Sequence, residues 1–300
     1  MQVHAKHYLM LLFLAAIWGS SFPFLKIALE SYSPILTVAI RLTLSAIAMS
    51  VFIWAFKLRI PAELKVWKHY AVVAVIGNIV PFFLITWGEQ YIDAALASVL
   101  MGLIPLATLI FAHYLTDDEK MSLNKLVGVV LGGGGVVVLI GVDALQGFGA
   151  HILAQLAVIF AACCYGLSAV YARRSKITQY HPLANAAGIL ICSAVFSLPI
   201  ALLVDDVSTF TFNVRSLSAL LILALACTCF AYFLLYNLLA QVGATFTSFN
   251  NYLVPVFGMI ISVILLGEPI NSSTYTALTL IFIGLLLSQK KSKRLSLMSR

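Results

Sequence analysis

Uninterrupted apolar runs recur along this chain, and nothing else in it limits the fold as severely. Ten runs stand out, at 8–29, 34–56, 70–88, 94–114, 122–142, 152–171, 183–204, 217–239, 245–267 and 273–289. Each is about 18–23 residues long, close to what a helix rising ~1.5 Å per residue needs to cross a bilayer. The runs are continuous rather than alternating, which argues against a membrane barrel. The expectation is an all-α membrane protein of ten transmembrane helices. Composition agrees: of 300 residues 62% are hydrophobic and only 10% charged, a balance that suits lipid as the main solvent. Lys6 before an apolar run imitates a signal peptide. The run is long enough to span and no small-residue cleavage pattern closes it, so a retained first helix is expected.

Charge placement sets an orientation. Fifteen Lys and Arg, from Lys6 to the tail Lys290, Lys291, Lys293, Arg294 and Arg300, fall on one side, against Arg215 alone on the other. By the positive-inside rule both termini are cytoplasmic, in a multi-pass protein of the cell inner (plasma) membrane. The net charge of +7 comes from these short loops and the tail, not from a basic face interleaved with aromatics. No nucleic-acid partner is expected. Lys26, one turn from Glu30, reads as half of a solvated pair. All five cysteines (Cys163, Cys164, Cys192, Cys227, Cys229) sit in apolar runs, as packed thiols do, and no Cys/His spacing suggests a metal. No cofactor is expected.

The chain also repeats itself. A shift of 150 places Ala94–Asp118 on Ala244–Glu268 without a gap, pairing Pro105 with Pro255 and Asp118 with Glu268. Earlier in each half Gly19 pairs with Gly166, Pro34 with Pro182 and Ser45 with Ser193. Ten helices split evenly give halves 1–143 and 144–300, and an odd number per half makes their topologies opposite. Two inverted five-helix repeats, with a ligand bound where they meet, are a recurrent carrier design.

Candidate site residues follow from what is costly in hydrocarbon. No Asp, Glu or His stands in the middle of a run, which disfavours a buried proton relay and leaves an intramembrane enzyme without catalytic groups. Arg41 is the exception among charges, roughly 10 Å below the outer boundary at helical rise. It either pins neighbouring helices or meets an anionic substrate group. Prolines inside helices free the carbonyl four residues back. Pro23 frees Gly19 beside Ser20 and Ser21, Pro81 frees Gly77 beside Asn78, Pro105 frees Met101, and Pro255 frees Asn251 beside Asn250. A wetted cavity would relieve those carbonyls, and so would serine caps. Trp18 and its repeat partner Tyr165, with Tyr232 and Tyr236, supply aromatic walls for such a pocket. The run Gly128–Gly141 is no phosphate loop, lacking the following Lys-Ser/Thr. Its glycines serve packing within the bundle or a dimer seam, so a homodimer stays open.

These residues together carry a family resemblance. WGSSF in the first helix, Arg41 after Pro34, the Pro-to-acid segments ending at Asp118 and Glu268, the Gly-rich fifth helix and the basic tail resemble the EamA-type branch of the drug/metabolite transporter superfamily. The resemblance covers both halves. It implies an inner-membrane carrier of small metabolites such as amino acids, with a central cavity. Carried onto this chain, the walls would include Trp18, Asn78, Met101, Tyr165, Tyr232 and Asn251.

The expectation is therefore a secondary transporter, an exporter of amino acids or related compounds by alternating access. Its partners are a small-molecule substrate and the lipid bilayer. Trp18, Ser20, Ser21, Arg41, Asn78, Met101, Tyr165, Tyr232, Asn250 and Asn251 are the substrate-binding candidates, and Pro105 and Pro255 the gating pair. Uptake or exchange of a larger metabolite, such as a nucleotide-linked compound, is the alternative. A non-transporting membrane scaffold is the rival of another class.

Overall fold

A computed structural model of the chain describes residues 3–92, 97, 100–117, 120–140, 151–175, 177–205, 213–254, 256–257, 276, 279–280, 283–284 and 287, apart from the side chains of Phe22, Pro23, Lys26, Val136, Leu139 and Ile140. Its helices are α1 (Ala5–Gly19), α2 (Ser21–Leu29), α3 (Pro34–Ala55), α4 (Leu64–Ala74), α5 (Val80–Gly88), α6 (Ile104–Leu115), α7 (Leu123–Ile140), α8 (Ile152–Arg174), α9 (Pro182–Val204), α10 (Val214–Ala224) and α11 (Ala231–Ser248). No strand occurs among the described residues. Five continuous helical stretches there are long and apolar enough to cross a membrane: 34–55, 64–88, 152–174, 182–204 and 214–248.

Local chemistry explains several boundaries. Pro34 and Pro182, paired by the repeat, both open helices, where the missing N–H is no loss. Ser33 caps α3 by accepting from the Leu36 N–H at 3.2 Å, and the same hydroxyl donates to Asp205 of the other half. The first predicted run is broken at Ser20. The Ser20 hydroxyl donates to the Ile17 carbonyl at 2.7 Å and Ser21 to Trp18 at 2.6 Å, local bonds that compete with a regular ladder.

Two π turns interrupt the bundle, Val75–Ile79 between α4 and α5 and Leu225–Phe230 between α10 and α11. They begin 150 residues apart, the same shift as the sequence repeat. Pro81, which has no N–H to give, follows the first. No proline attends the second; there the Thr228 hydroxyl reaches the Leu223 carbonyl, five residues back, at 2.9 Å. Single π turns of this sort concentrate at functional sites.

One expectation changes here. Pro105 does not bend a helix from inside. It stands in the first turn of α6, after the turn at Gly102–Leu103, so the interruption precedes it. Another break falls inside α11, between the runs expected at 217–239 and 245–267: Gly243 has φ 88°, a left-handed value open to glycine, and the chain sets off afresh at Ala244. Pro255, Asp118, Glu268 and most of the last predicted run lie outside the described residues.

Packing follows small residues. The α3–α9 contact is the most extensive between helices, and Ala39 and Ala46 on one, Ala186 and Ala187 on the other, are fully or nearly buried. Helices in lipid gain from such close approach, since hydrocarbon offers no hydrophobic drive between them. Gly166 of α8 lies so near α6 that a Cβ would stand 2.8 Å from the Thr108 nitrogen. The Gly-rich α7 takes Tyr252 against Gly132, where a Cβ would come within 2.4 Å of the ring, and the Tyr252 hydroxyl donates to the Val129 carbonyl at 2.8 Å. That face packs within the bundle, whereas Gly133 and Gly134 meet nothing within 4 Å.

Candidate functional site

A cavity of about 170 Å³ lies among α1–α3, the first π turn, α5, α6, α8, α11 and the stretch after Gly243. Residues from both halves of the sequence line it. Trp18, Ser21, Arg41 and Asn78 come from the first half, with Met101 beside them. Tyr165, Tyr232 and Asn251 come from the second.

Two of the sequence candidates face elsewhere. Ser20 spends its hydroxyl proton on Ile17 and sits 4.0 Å from the Cys227 sulfur. Asn250 is fully buried, off the cavity wall, with neither amide atom hydrogen-bonded. The two asparagines are turned about 100° apart, and only Asn251 falls on the cavity side. Among the gating pair, Pro105 is buried behind the wall, and Pro255 is not described.

The walls are mainly aromatic and aliphatic, with polar groups held in defined directions. Tyr232 donates to Asn78 Oδ1 at 2.7 Å, and Asn78 Nδ2 donates to Ser193 at 2.7 Å. Asn251 gives an amide proton to the Ser248 carbonyl at 2.9 Å, leaving its oxygen for the cavity. The Trp18 indole N–H is tied at 2.9 Å to the Cys227 carbonyl inside the second π turn. Trp18 is thus a wall that also clamps the other half.

Arg41 is the cation of the described wall. Its Nε donates to Thr228 Oγ1 at 2.7 Å, and one Nη2 proton points at the Cys227 carbonyl at a long 3.5 Å. The Phe82 ring lies beneath the guanidinium, 4.3 Å from centroid to Cζ. No carboxylate among the described residues pairs with it. Five N–H donors less these two leaves three without a partner among the described residues. The repeat-equivalent position carries Ile189, fully buried in the apolar core, so this charge has no counterpart in the other half.

Sequence reasoning missed several wall residues. Thr247 and Ser248 face the cavity with Asn251, on the helix that follows Gly243, and their one-turn spacing from Asn251 is the signal that could have found them. Ser168 also lines it, with its hydroxyl so close that Gly77 could not carry a Cβ, which would stand 2.2 Å away. Glu89 was set aside as a helix-end acid. It caps α5, yet both carboxylate oxygens are shielded from solvent and the residue lines the cavity. Among the described residues no group of His, Cys, Asp and Glu could hold a metal ion.

The fold and this chamber define a class: a multi-pass helical membrane protein with a small, mainly apolar cavity carrying a few directed polar groups between two related halves. The chain belongs to the EamA-like transporter family, whose profile matches residues 5–141 and again residues 152–289. It is therefore a secondary transporter of the drug/metabolite transporter superfamily, built from two EamA repeats, and not an enzyme.

Relatives span nearly its whole length. It is 26% identical to Uncharacterized transporter YvbV of Bacillus subtilis, over 95% of this chain and 92% of that one. It is 22% identical to Uncharacterized transporter YoaV of the same species, over 91% and 92%. A Probable terminal-alkyne amino-acid exporter of Streptantibioticus cattleyicolor is 24% identical over 84% of this chain and 82% of its own. One solved crystal structure shares the fold with TM-score 0.78, at 18% identity, covering 98% of this chain and 99% of the other.

Proposed function

We propose that the chain exports amino acids or closely related small metabolites by alternating access. Arg41 carries this reading: it lines an aromatic-walled cavity with three N–H donors to which no described residue is bonded, and a guanidinium so placed suits a carboxylate taken edge-on. Trp18, Tyr165 and Tyr232 enclose the remainder of the substrate. Ser21, Asn78 and Asn251 supply hydrogen bonds, and Met101 an adaptable apolar contact. Ser20 and Asn250 support the wall from behind.

Size favours a small cargo. A cavity of about 170 Å³ is below the ~300–1,000 Å³ of pockets for drug-sized ligands, and so suits an amino acid better than a nucleotide-linked compound. The direction is supported by the exporter name of one relative.

The architecture belongs to the proposal. Two inverted five-helix repeats, 1–143 and 144–300, meet at the cavity, with both termini cytoplasmic and the inner membrane as the site of action. Alternating access then requires the halves to bend in turn, at the π turns and at the interruptions before Pro105 and at Gly243, with Pro105 and Pro255 as the gating pair. The test compares small metabolites inside cells and in the medium, with and without the protein. Export predicts one or a few amino-group-bearing acids depleted inside and enriched outside when it is expressed. Enrichment inside instead would reverse the direction, and no change would remove the transport reading.

A further inference from the structure

Thr228 lines no cavity and is fully buried, yet it fixes how Arg41 meets the cavity. The direction of each hydrogen bond follows from groups that can act in only one way. The Leu223 carbonyl can only accept, and it lies 2.9 Å from Thr228 Oγ1, so the Thr228 proton goes there. The Thr228 lone pairs are then turned to Arg41, whose Nε–H can only donate and does so at 2.7 Å.

A guanidinium is planar, so fixing Nε on one side and laying the face on Phe82 at 4.3 Å fixes the plane and its far edge. The Cys227 carbonyl at 3.5 Å is too distant to do this alone. The π turn makes the arrangement available. Its wider register brings the carbonyl five residues back within reach of the Thr228 hydroxyl. At the equivalent place in the first π turn stands Asn78, which faces the cavity itself.

We infer that Thr228 is a positioning residue for substrate selectivity: it holds the outer edge of Arg41 in the plane that receives a carboxylate. This rests on the reading that Arg41 binds the acid group of an exported amino acid. Without Thr228 the charge would remain, but its edge would be free to turn. The fork geometry would be lost, while the attraction any cation offers would persist.

The experiment uses the full chain in proteoliposomes. Counterflow is measured for the twenty common α-amino acids, and the best of them is competed against its own C-terminal carboxamide. Wild type should prefer the acid at least tenfold. Thr228→Val keeps the shape without the acceptor and should cut that preference at least fivefold, through KM for the acid with kcat retained. Thr228→Ser should restore it. A merely structural role would weaken acid and amide alike. Should the valine variant fail to assemble, Thr228→Cys offers a poor acceptor in the same space and is read identically. An unchanged preference in Thr228→Val, alongside loss of acid counterflow in Arg41→Met, overturns the inference and leaves the function standing. Absence of acid preference in wild type overturns the reading beneath it.

Discussion

Tyr232 of the second half donates its hydroxyl proton to Asn78 of the first at 2.7 Å, which makes Asn78 a structural joint as well as a wall of the cavity. The chain of bonds has one sense. The Ile189 carbonyl only accepts, so the Ser193 proton lies on it at 2.8 Å, and the Asn78 atom facing Ser193 is the nitrogen. Ser193 belongs to α9, so Asn78 is held by two elements of the opposite half. Tyr232→Phe strands Asn78 Oδ1 in a buried place and should cost about 1–3 kcal/mol of stability. Asn78→Leu strands the Tyr232 hydroxyl, removes the donor to Ser193 and loses the side chain's place in the joint, and should cost more. Thermal unfolding of the purified protein in detergent checks the order.

Asn251 is the group nearest to a plain substrate contact. Its amide nitrogen is bound to Ser248 and its oxygen is not. Asn251→Leu should abolish transport while the protein still inserts in normal amount. Normal flux in that variant would remove the stretch after Gly243 from the site. Membrane yield and efflux measured on the same cells separate the two cases.

Gly166→Val tests the packing rather than the chemistry. A Cβ there would stand 2.8 Å from the Thr108 nitrogen and 3.1 Å from the Ala107 carbonyl carbon, both backbone. Backbone cannot turn aside as a side chain can, so overpacking should cost about 1–3 kcal/mol or more and lower the yield of folded protein. Gly134→Val meets open space and should be near neutral. The pair is compared by unfolding temperature.

The orientation is open to labelling. In a background without the five native cysteines, a cysteine at Asn213 should react with an impermeant maleimide added to spheroplasts, which lack the outer membrane. One at Ser292 should react only after lysis. The opposite pattern would invert the chain and overturn the charge argument.

Much of the fold was legible because its cause is hydropathy. Runs long enough to span, with prolines at Pro34 and Pro182 marking helix starts, are written in residue type. The π turns are not, since one extra residue in a turn leaves hydropathy unchanged, and the second has no proline to betray it. The site divides the same way. Trp18, Arg41 and Asn251 stand out in an apolar run by their chemistry. Thr228 does not: a buried threonine in a helix usually bonds its own backbone, and only the coordinates show Arg41 arriving from the other half. Ser20 and Asn250 mark the limit of proximity in sequence, for a polar neighbour one residue along points to a different side.

Counterflow in proteoliposomes tests the central claim most directly. Vesicles holding wild-type protein and preloaded with an unlabelled α-amino acid that the chain carries should take up the labelled one faster than unloaded vesicles, and vesicles with Arg41→Met should show no such acceleration. No acceleration in wild type for any of the common amino acids, or equal acceleration in Arg41→Met, would contradict an amino-acid carrier that grips its cargo by the carboxylate.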